Sequence, residues 1–477
     1  MNIEIVNPNI SNFIKSLRDV GYTFEIAVAD VLDNSISANA SEIKIHTVPQ
    51  PEIIFYMLDN GDGMSESELT EAMRLATKNP QDKRDKKDLG RFGLGLKTAS
   101  FSQCKKLTVL SVKDKVFSAK QWDLEHISNE NEWQLITPSI DDLKDLPMVN
   151  ELLLKDHGTL VIWQDIDRYK QKDFSEKIDK LRKHLSLVFH RFLEGSDTFH
   201  KLKISINENP LKAFNPFNAN HIAAVEKTSE KIKIHDSVIK ITPYILPHHS
   251  RISQQEWDEY ATEDGYIKSQ GFYLYRANRL LIHGTWWGLH KATDAHKLVR
   301  IRIDISNDQD NYWGIDIKKS TANPIPELKK DLKRIIAEVT KEGAKPFTAR
   351  GRKIKDKTTT KFWQTVPVND ELRFGLNKEH PIYQQLVNSL SKDSLYLLNI
   401  YLKGIEAYLP LESIQAHLQQ NPHEIKQKEA LTEDDIKELV LKLKSSGLND
   451  EYIESLLKTE MFQNYKELLA DEQLSKN

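Results

Sequence analysis

Residues 24–40 read FEIAVADVLDNSISANA. Ile26, Ala27, Ala29, Val31, Leu32 and Ile36 recur with helical spacing, while Asp30, Asp33 and Asn34 (i, i+3, i+4) share the other face. Two acids and an amide so close together repel unless a cation sits among them, so the pattern predicts more than a solvated face. Short apolar runs predict strands at Glu42–Thr47, Ile53–Leu58, Leu107–Val112 and Thr159–Trp163, alternating with helices across residues 1–168. A helix at Lys177–Phe192 opens a second block. Strands are predicted there at Leu202–Ile206, Lys231–Ile234, Val238–Ile245, Gly271–Tyr275, Val299–Ile305 and Trp313–Ile317, closed by a helix near Pro326–Lys341. From about residue 370 the periodicity is helical. One helix there is bracketed by Thr432, with three acids behind it, and by Gly447.

Composition narrows the class. The chain has 477 residues, enough for two to four domains, with 29% charged and 8% aromatic side chains. No apolar stretch is long enough to span a membrane, and MNIEIVNPNISNF lacks the basic and apolar regions of a signal peptide. The single Cys104 excludes a disulfide framework or a cysteine-cluster zinc site, so a cytoplasmic protein is expected. Net charge is −3, so affinity for nucleic acid would have to come from a local patch. Residues 341–361 supply one: eight Lys and Arg stand against Glu342 and Asp356.

Three further segments carry candidate chemistry. In Leu58–Met64 (LDNGDGM) an apolar strand ends at Asp59, and Gly61 and Gly63 bracket Asp62. Such glycines leave bare backbone for a flat ligand, and the later acid of an EF-hand is missing. In Leu89–Ser100 (LGRFGLGLKTAS), Gly90, Gly93 and Gly95 lead into a helix start carrying Lys97, an arrangement suited to phosphate, although it is not a Walker A loop. The polar Thr77–Asp88 ahead of it reads as a lid. In His157–Trp163 (HGTLVIW), Thr159 opens a buried strand.

In this order and spacing the four segments resemble the GHKL (Bergerat-fold) ATPase superfamily, whose members include gyrase B, MutL, MORC proteins and histidine kinases. LGRFGLGLKTASFS and HGTLVIWQD are most similar to its MORC-like and MutL-like prokaryotic branch. The resemblance implies ATP and Mg²⁺ as cofactors. It assigns Asn34 to the metal and Asp30 to the general base. Asp59 takes the adenine amino group, supported by Thr159, with Gly61, Gly63 and Met64 around the adenine. Gly90, Arg91, Phe92, Gly93, Leu94, Gly95, Leu96 and Lys97 wrap the phosphates. Relatives usually carry Glu at the base position. Asp30 is one methylene shorter, so hydrolysis is expected to be slow, or the protein is a nucleotide-gated switch.

FYLYRANRLLIHG (Phe272–Gly284) and DNYWGIDIKKSTANPIP (Asp310–Pro326) resemble the transducer domain of the same family, in which a strand-end cation senses the terminal phosphate. Lys318 and Lys319 are the candidates, Lys319 preferred. A histidine kinase would need a phosphoacceptor helix ahead of the ATP domain, where only about 24 residues stand. The expected architecture is α+β: a Bergerat ATP-binding domain (an α/β sandwich) at 1–168, a ribosomal-protein-like α/β transducer at 169–340, a basic linker at 341–369 and a small helical domain at 370–477. The expected function is an ATP-gated, dimerising ATPase acting on DNA through residues 341–361, within a bacterial antiphage, restriction or repair complex. The alternative is a chaperone-like clamp on protein partners. Residues 1–23 would strap the dimer, and Trp286 and Trp287 are expected in the transducer core.

Overall fold

The computed structural model describes every residue except 1–2, 5–8, 76–94, 197–200, 235–236, 317, 344–358, 369–370, 421–434, 436–437, 440–441, 443–449 and 466–477. The chain divides into two compact units, one of residues 1–247 with 258–343, the other of 248–257 with 344–477.

The first unit opens with helices α1 (Ile10–Arg18) and α2 (Phe24–Ser37). Strands β1 (Glu42–Val48) and β2 (Ile54–Asp59) follow, then α3 (Glu66–Met73) and α4 (Gly95–Gln103). Next come β3 (Lys106–Lys113), β4 (Val116–Asp123), β5 (Gly158–Gln164), α5 (Phe174–Val188), β6 (Lys203–Ile206) and β7 (Asn209–Pro210). The strands form one sheet in the order β4-β3-β5-β2-β1-β6-β7, with β1 and β6 parallel. Its central strands β2, β3 and β5 are buried on both faces, as a doubly covered sheet requires. Phe55, Met57, Leu107, Val109 and Trp163 pack under the helices with Phe24, Ala27 and Val31. Tyr56, Leu58, Leu110, Val112 and Ile162 pack on the opposite face with Leu143, Val149 and Leu152.

The second sheet of this unit contains β8 (Val225–Glu226), β9 (Glu230–Ile234), β10 (Ser237–Ile245), β11 (Gly271–Arg276), β12 (Arg279–Thr285) and β13 (Val299–Ile305). Its order is β12-β11-β13-β10-β8, with β9 on β10, and helix α6 (Pro326–Gly343) packs on it. Ala277 and Asn278, both at positive φ, join β11 to β12. Such a two-residue turn matches the twist of a tight hairpin and aims both ends one way. Trp286 is buried in this part, and Trp287 stacks on Phe272, 4.9 Å between centroids.

Two expectations are corrected. Trp313–Ile317 is not a strand: Asp310–Trp313 is a short helix ended by Gly314 in the left-handed region, and Ile317 lies outside the described residues. Asp310 begins that helix because it is locked to Arg276, Nε to Oδ1 at 2.6 Å and Nη2 to Oδ2 at 2.7 Å, both residues buried. The second unit is not wholly helical either. A hairpin of β14 (Trp363–Val368) and β15 (Glu371–Leu376) precedes α7 (Pro381–Ser389), α8 (Lys392–Ala407), α9 (Leu411–Gln420) and α10 (Asp450–Leu457). Of the predicted helix between Thr432 and Gly447, only Asp435, Glu438, Leu439 and Lys442 are described, all helical.

Gly63 holds the β2 end against the sheet. Its φ is +66°, and a Cβ there would stand 2.0 Å from the Val112 carbonyl oxygen. Gly63→Ala is therefore expected to cost about 3 kcal/mol in urea unfolding. Gly95→Ala, where no described residue outside its own helix turn and chain neighbours comes within 4 Å of the added carbon, should stay within about 0.5 kcal/mol of wild type.

Candidate functional site

Helix α2 begins at Thr23, whose side chain caps the Ile26 amide. Its acids are not on a solvated face. Asp30 and Asp33 are 2% and 1% exposed, too deep for two adjacent charges without compensation. Two cations from the second sheet's side supply it. Arg279, the first residue of β12, places Nη1 3.1 Å from Asp30 Oδ1 and against Asp33 Oδ2. Lys319 places Nζ 3.2 Å from Asp30 Oδ1 and also on Asp33 Oδ2. The Tyr22 hydroxyl donates to Asp30 Oδ2 at 3.0 Å. Burial pushes the Asp33 carboxyl upward, against the pull of Arg279 and Lys319. Burial and the Asp30 charge push the Tyr22 hydroxyl well above the usual range, so it stays a donor.

Lys319 owes its position to a constrained loop. Asp316 Oδ1 accepts from the Ser320 and Thr321 amides at 2.7 and 2.9 Å, and its carbonyl accepts the Lys319 amide at 3.1 Å. Lys319 itself lies at φ +54°, a conformation that costs a non-glycine residue free energy and persists only where its surroundings impose it. Lys318 points elsewhere, to the Gly21 carbonyl at 3.4 Å.

Asn34 is exposed, one turn beyond Asp30, and its Nδ2 donates to the Asp30 carbonyl at 3.3 Å. Its Oδ1 is the atom left to act as an oxygen ligand. Among the described residues no group of three His, Cys, Asp or Glu could hold a metal. A magnesium ion here would complete its shell with phosphate and water oxygens, as this cation commonly does.

Asp59 ends β2 and is 4% exposed. Ser35 Oγ donates to its Oδ2 at 2.6 Å, and the Gly61 and Thr159 amides donate to Oδ1 at 2.9 and 3.2 Å. Three of about four lone-pair positions are taken, leaving one for a ligand N–H. Burial pushes this carboxyl upward, and those three bonds oppose it. Thr159 supports Asp59 through its backbone, while its side chain meets Ser111 Oγ at 3.2 Å. Ser111 also receives the Met64 amide at 2.8 Å.

The glycines are explained by the protein's own backbone: a Cβ on Gly61 would stand 2.7 Å from the Ala38 carbonyl oxygen. Lys97 is buried, with Nζ donating to the Ala72 carbonyl at 2.8 Å, so it ties α4 to α3. Gly95 and Leu96 open α4. Gly90, Arg91, Phe92, Gly93 and Leu94, with the Thr77–Asp88 segment, lie outside the described residues. Sequence reasoning missed Tyr22, Ser35, Ser111 and Arg279. Only Arg279 carried a signal, the YRANRLLI turn between two apolar runs.

A helix bearing acids and an amide beside a strand that ends in a buried aspartate, on a helix-covered mixed sheet, is the Bergerat arrangement of a GHKL ATPase domain. Residues 22–159 match the family model described as histidine kinase-, DNA gyrase B- and HSP90-like ATPase. A search of curated proteins finds no match. Among solved structures, the crystal structure of the N-terminal domain of a DNA repair protein is similar at 15% identity and a TM-score of 0.42, covering 72% of this chain and 99% of that one.

Removing one cation leaves buried acid uncompensated. Arg279→Met is expected to destabilise the protein by about 3–5 kcal/mol. Adding Asp33→Asn should recover at least half of that, read as the coupling term of a double-mutant cycle in urea.

Proposed function

We propose that the chain binds and hydrolyses ATP in this site and uses the nucleotide to gate dimerisation and an action on DNA. The observation that carries the reading is the convergence of Lys319 on Asp30 and Asp33. A cation held by a strained loop on the α2 acids is placed to exchange them for a phosphate oxygen.

In this reading Asp59 accepts the adenine amino group on its remaining lone pair, preorganised by Ser35, Gly61 and Thr159. Asn34 Oδ1 is the protein's ligand to magnesium, which when bound neutralises charge on the phosphates. Asp30 is the general base. With Oδ2 on Tyr22 and Oδ1 between two cations, its lone pairs are engaged. Transfer of Lys319 to the terminal phosphate frees Oδ1 to take a proton from water, while Arg279 keeps the shorter carboxylate in place. The segment 90–97 closes over the phosphates, with Lys97 already anchored at the α3 end.

Residues 341–361 are proposed to hold the DNA backbone and residues 1–23 to strap the dimer, in the setting of a bacterial antiphage, restriction or repair complex. A second reading, a clamp on protein partners, is favoured by the exposed Tyr396, Leu397, Ile400 and Tyr401 on α8.

Calorimetry with ATP and magnesium should detect binding. Asp59→Asn should weaken it at least about 100-fold, by loss of a hydrogen bond to a charged acceptor and the misplaced amide donor it leaves. Asp30→Asn should keep ATP affinity within about threefold and lower turnover at least about 100-fold. Unchanged ATP affinity in Asp59→Asn rejects the adenine assignment, and unchanged turnover in Asp30→Asn rejects the base.

Low-salt DNA binding is expected to weaken with a log–log salt slope of several units, up to about −7 if all eight cations of 341–361 meet duplex phosphates. Replacing those cations with glutamine should abolish DNA retention without changing ATP affinity. Retention in that variant points to another DNA surface, and absence of DNA binding in wild type favours the protein clamp.

A further inference from the structure

Beside the acid cluster, one turn earlier on α2, lies an open recess of about 210 Å³. An engineered cavity of about 150 Å³ holds benzene, so this one has room for a tetrahedral oxyanion and part of whatever carries it. Its lining includes Ile26, His184, Arg279, His283, Lys318 and Lys319. It contains none of Asn34, Asp59, Gly61, Met64 or Thr159, and shares with the proposed nucleotide site only the acid-pair cations Arg279 and Lys319. Ile26 and Asn34 are eight residues apart on α2, about 12 Å along the axis, with the acid pair between them.

The wall chemistry is that of an anion receptor. Arg279 is 4% exposed, and its Nε finds no hydrogen-bond partner among the described residues. A buried guanidinium N–H without an acceptor is costly, and such an orphan needs an explanation. Lys318 pairs with no carboxylate among the described residues, its Nζ donating to the Gly21 carbonyl. Neither His184 nor His283 has a hydrogen-bond partner there. Burial, then the neighbouring His283 and Arg279, pushes His184 down to about 3, so it stands as a neutral imidazole able to donate one N–H. Arg279 and Lys319 are balanced by Asp30 and Asp33, and Lys318 leaves one positive charge in surplus.

We propose that this recess binds a phosphoryl anion, held by Arg279 Nε, Lys318 Nζ and the two imidazoles, as a second anion site that stands whether or not the chain hydrolyses ATP. Guanidinium and ammonium donors converging on one partly enclosed volume suit a phosphate better than a carboxylate, because a phosphate offers acceptors to all of them. The recess and the acid pair share Arg279 and Lys319. A bound anion therefore competes with Asp30 and Asp33 for those cations, and by linkage removing one acid must strengthen the anion's hold.

The test is titration of the full chain with inorganic phosphate, without nucleotide, followed by calorimetry or phosphorus-31 line broadening. Lys318→Ala/His283→Ala should weaken phosphate roughly tenfold or more, the loss expected for one or two charge-assisted bonds. Lys318→Ala alone should move affinity the same way by less, Asn34→Ala should leave it unchanged, and Asp33→Asn should raise it severalfold. Competition with a short single-stranded oligodeoxynucleotide separates the sources. Displacement of phosphate assigns the recess to a nucleic-acid phosphodiester; no displacement assigns it to free phosphate. The proposal is overturned if wild type binds no phosphate, if the double variant binds it as well as wild type does, or if Asn34→Ala is the change that abolishes it.

Discussion

Two carboxylates lie next to each other on one buried helical stripe, and the rest of the site is arranged around keeping them there. Asp30 and Asp33 are one turn apart on α2 and almost wholly excluded from water. Bare, such a pair would take up a proton or open the helix to solvent; paired, it is stable only if both cations stay. Those cations come from sequence positions about 250 and 290 residues away. The acid pair is thus the point at which the second sheet is registered against the first. The tight β11–β12 turn, the buried Arg276–Asp310 lock and the left-handed backbone of Lys319 are the local means of delivering two positive charges to it.

The other end of the site follows a different logic. Asp59 needs no cation because three neutral donors converge on it, two of them backbone amides fixed by the sheet and its first turn. Hydrogen bonds from fixed dipoles hold a buried carboxylate in one orientation while leaving room for one more donor. The glycines of LDNGDGM serve this geometry indirectly. They let the turn run against Ala38 and Val112, so the Gly61 amide reaches the acid it follows.

How much of this was legible in the sequence depends on the range of the interaction. The α2 helix and most strands could be read because apolar periodicity is local. The need for a cation among Asp30, Asp33 and Asn34 was legible from charge spacing alone, but its identity as Arg279 and Lys319 was not, since no local pattern encodes a contact across hundreds of residues. Trp313–Ile317 looked like a strand because its aromatic and β-branched residues fit one. The Arg276–Asp310 pair and Gly314 impose a helical turn instead. The hairpin Trp363–Leu376 was hidden by the helical run that follows it. Lys97 could be read as basic and helical, but not as capping the Ala72 carbonyl, which depends on how α3 and α4 meet.

The aspartate at position 30 acquires a physical rationale from the same cluster. A glutamate at position 30 would carry its carboxylate one methylene farther from the helix than Asp33 carries its own. Asp30 and Asp33, with side chains of equal length one turn apart, both meet a single guanidinium nitrogen, Arg279 Nη1. Lys319 repeats that bridge from another direction. Equal side-chain length is therefore what lets each of two cations meet both acids, at Asp30 Oδ1 and Asp33 Oδ2. It also means that any displacement of one cation is felt by both carboxylates at once, which ties the charge state of the helix to the position of a single loop.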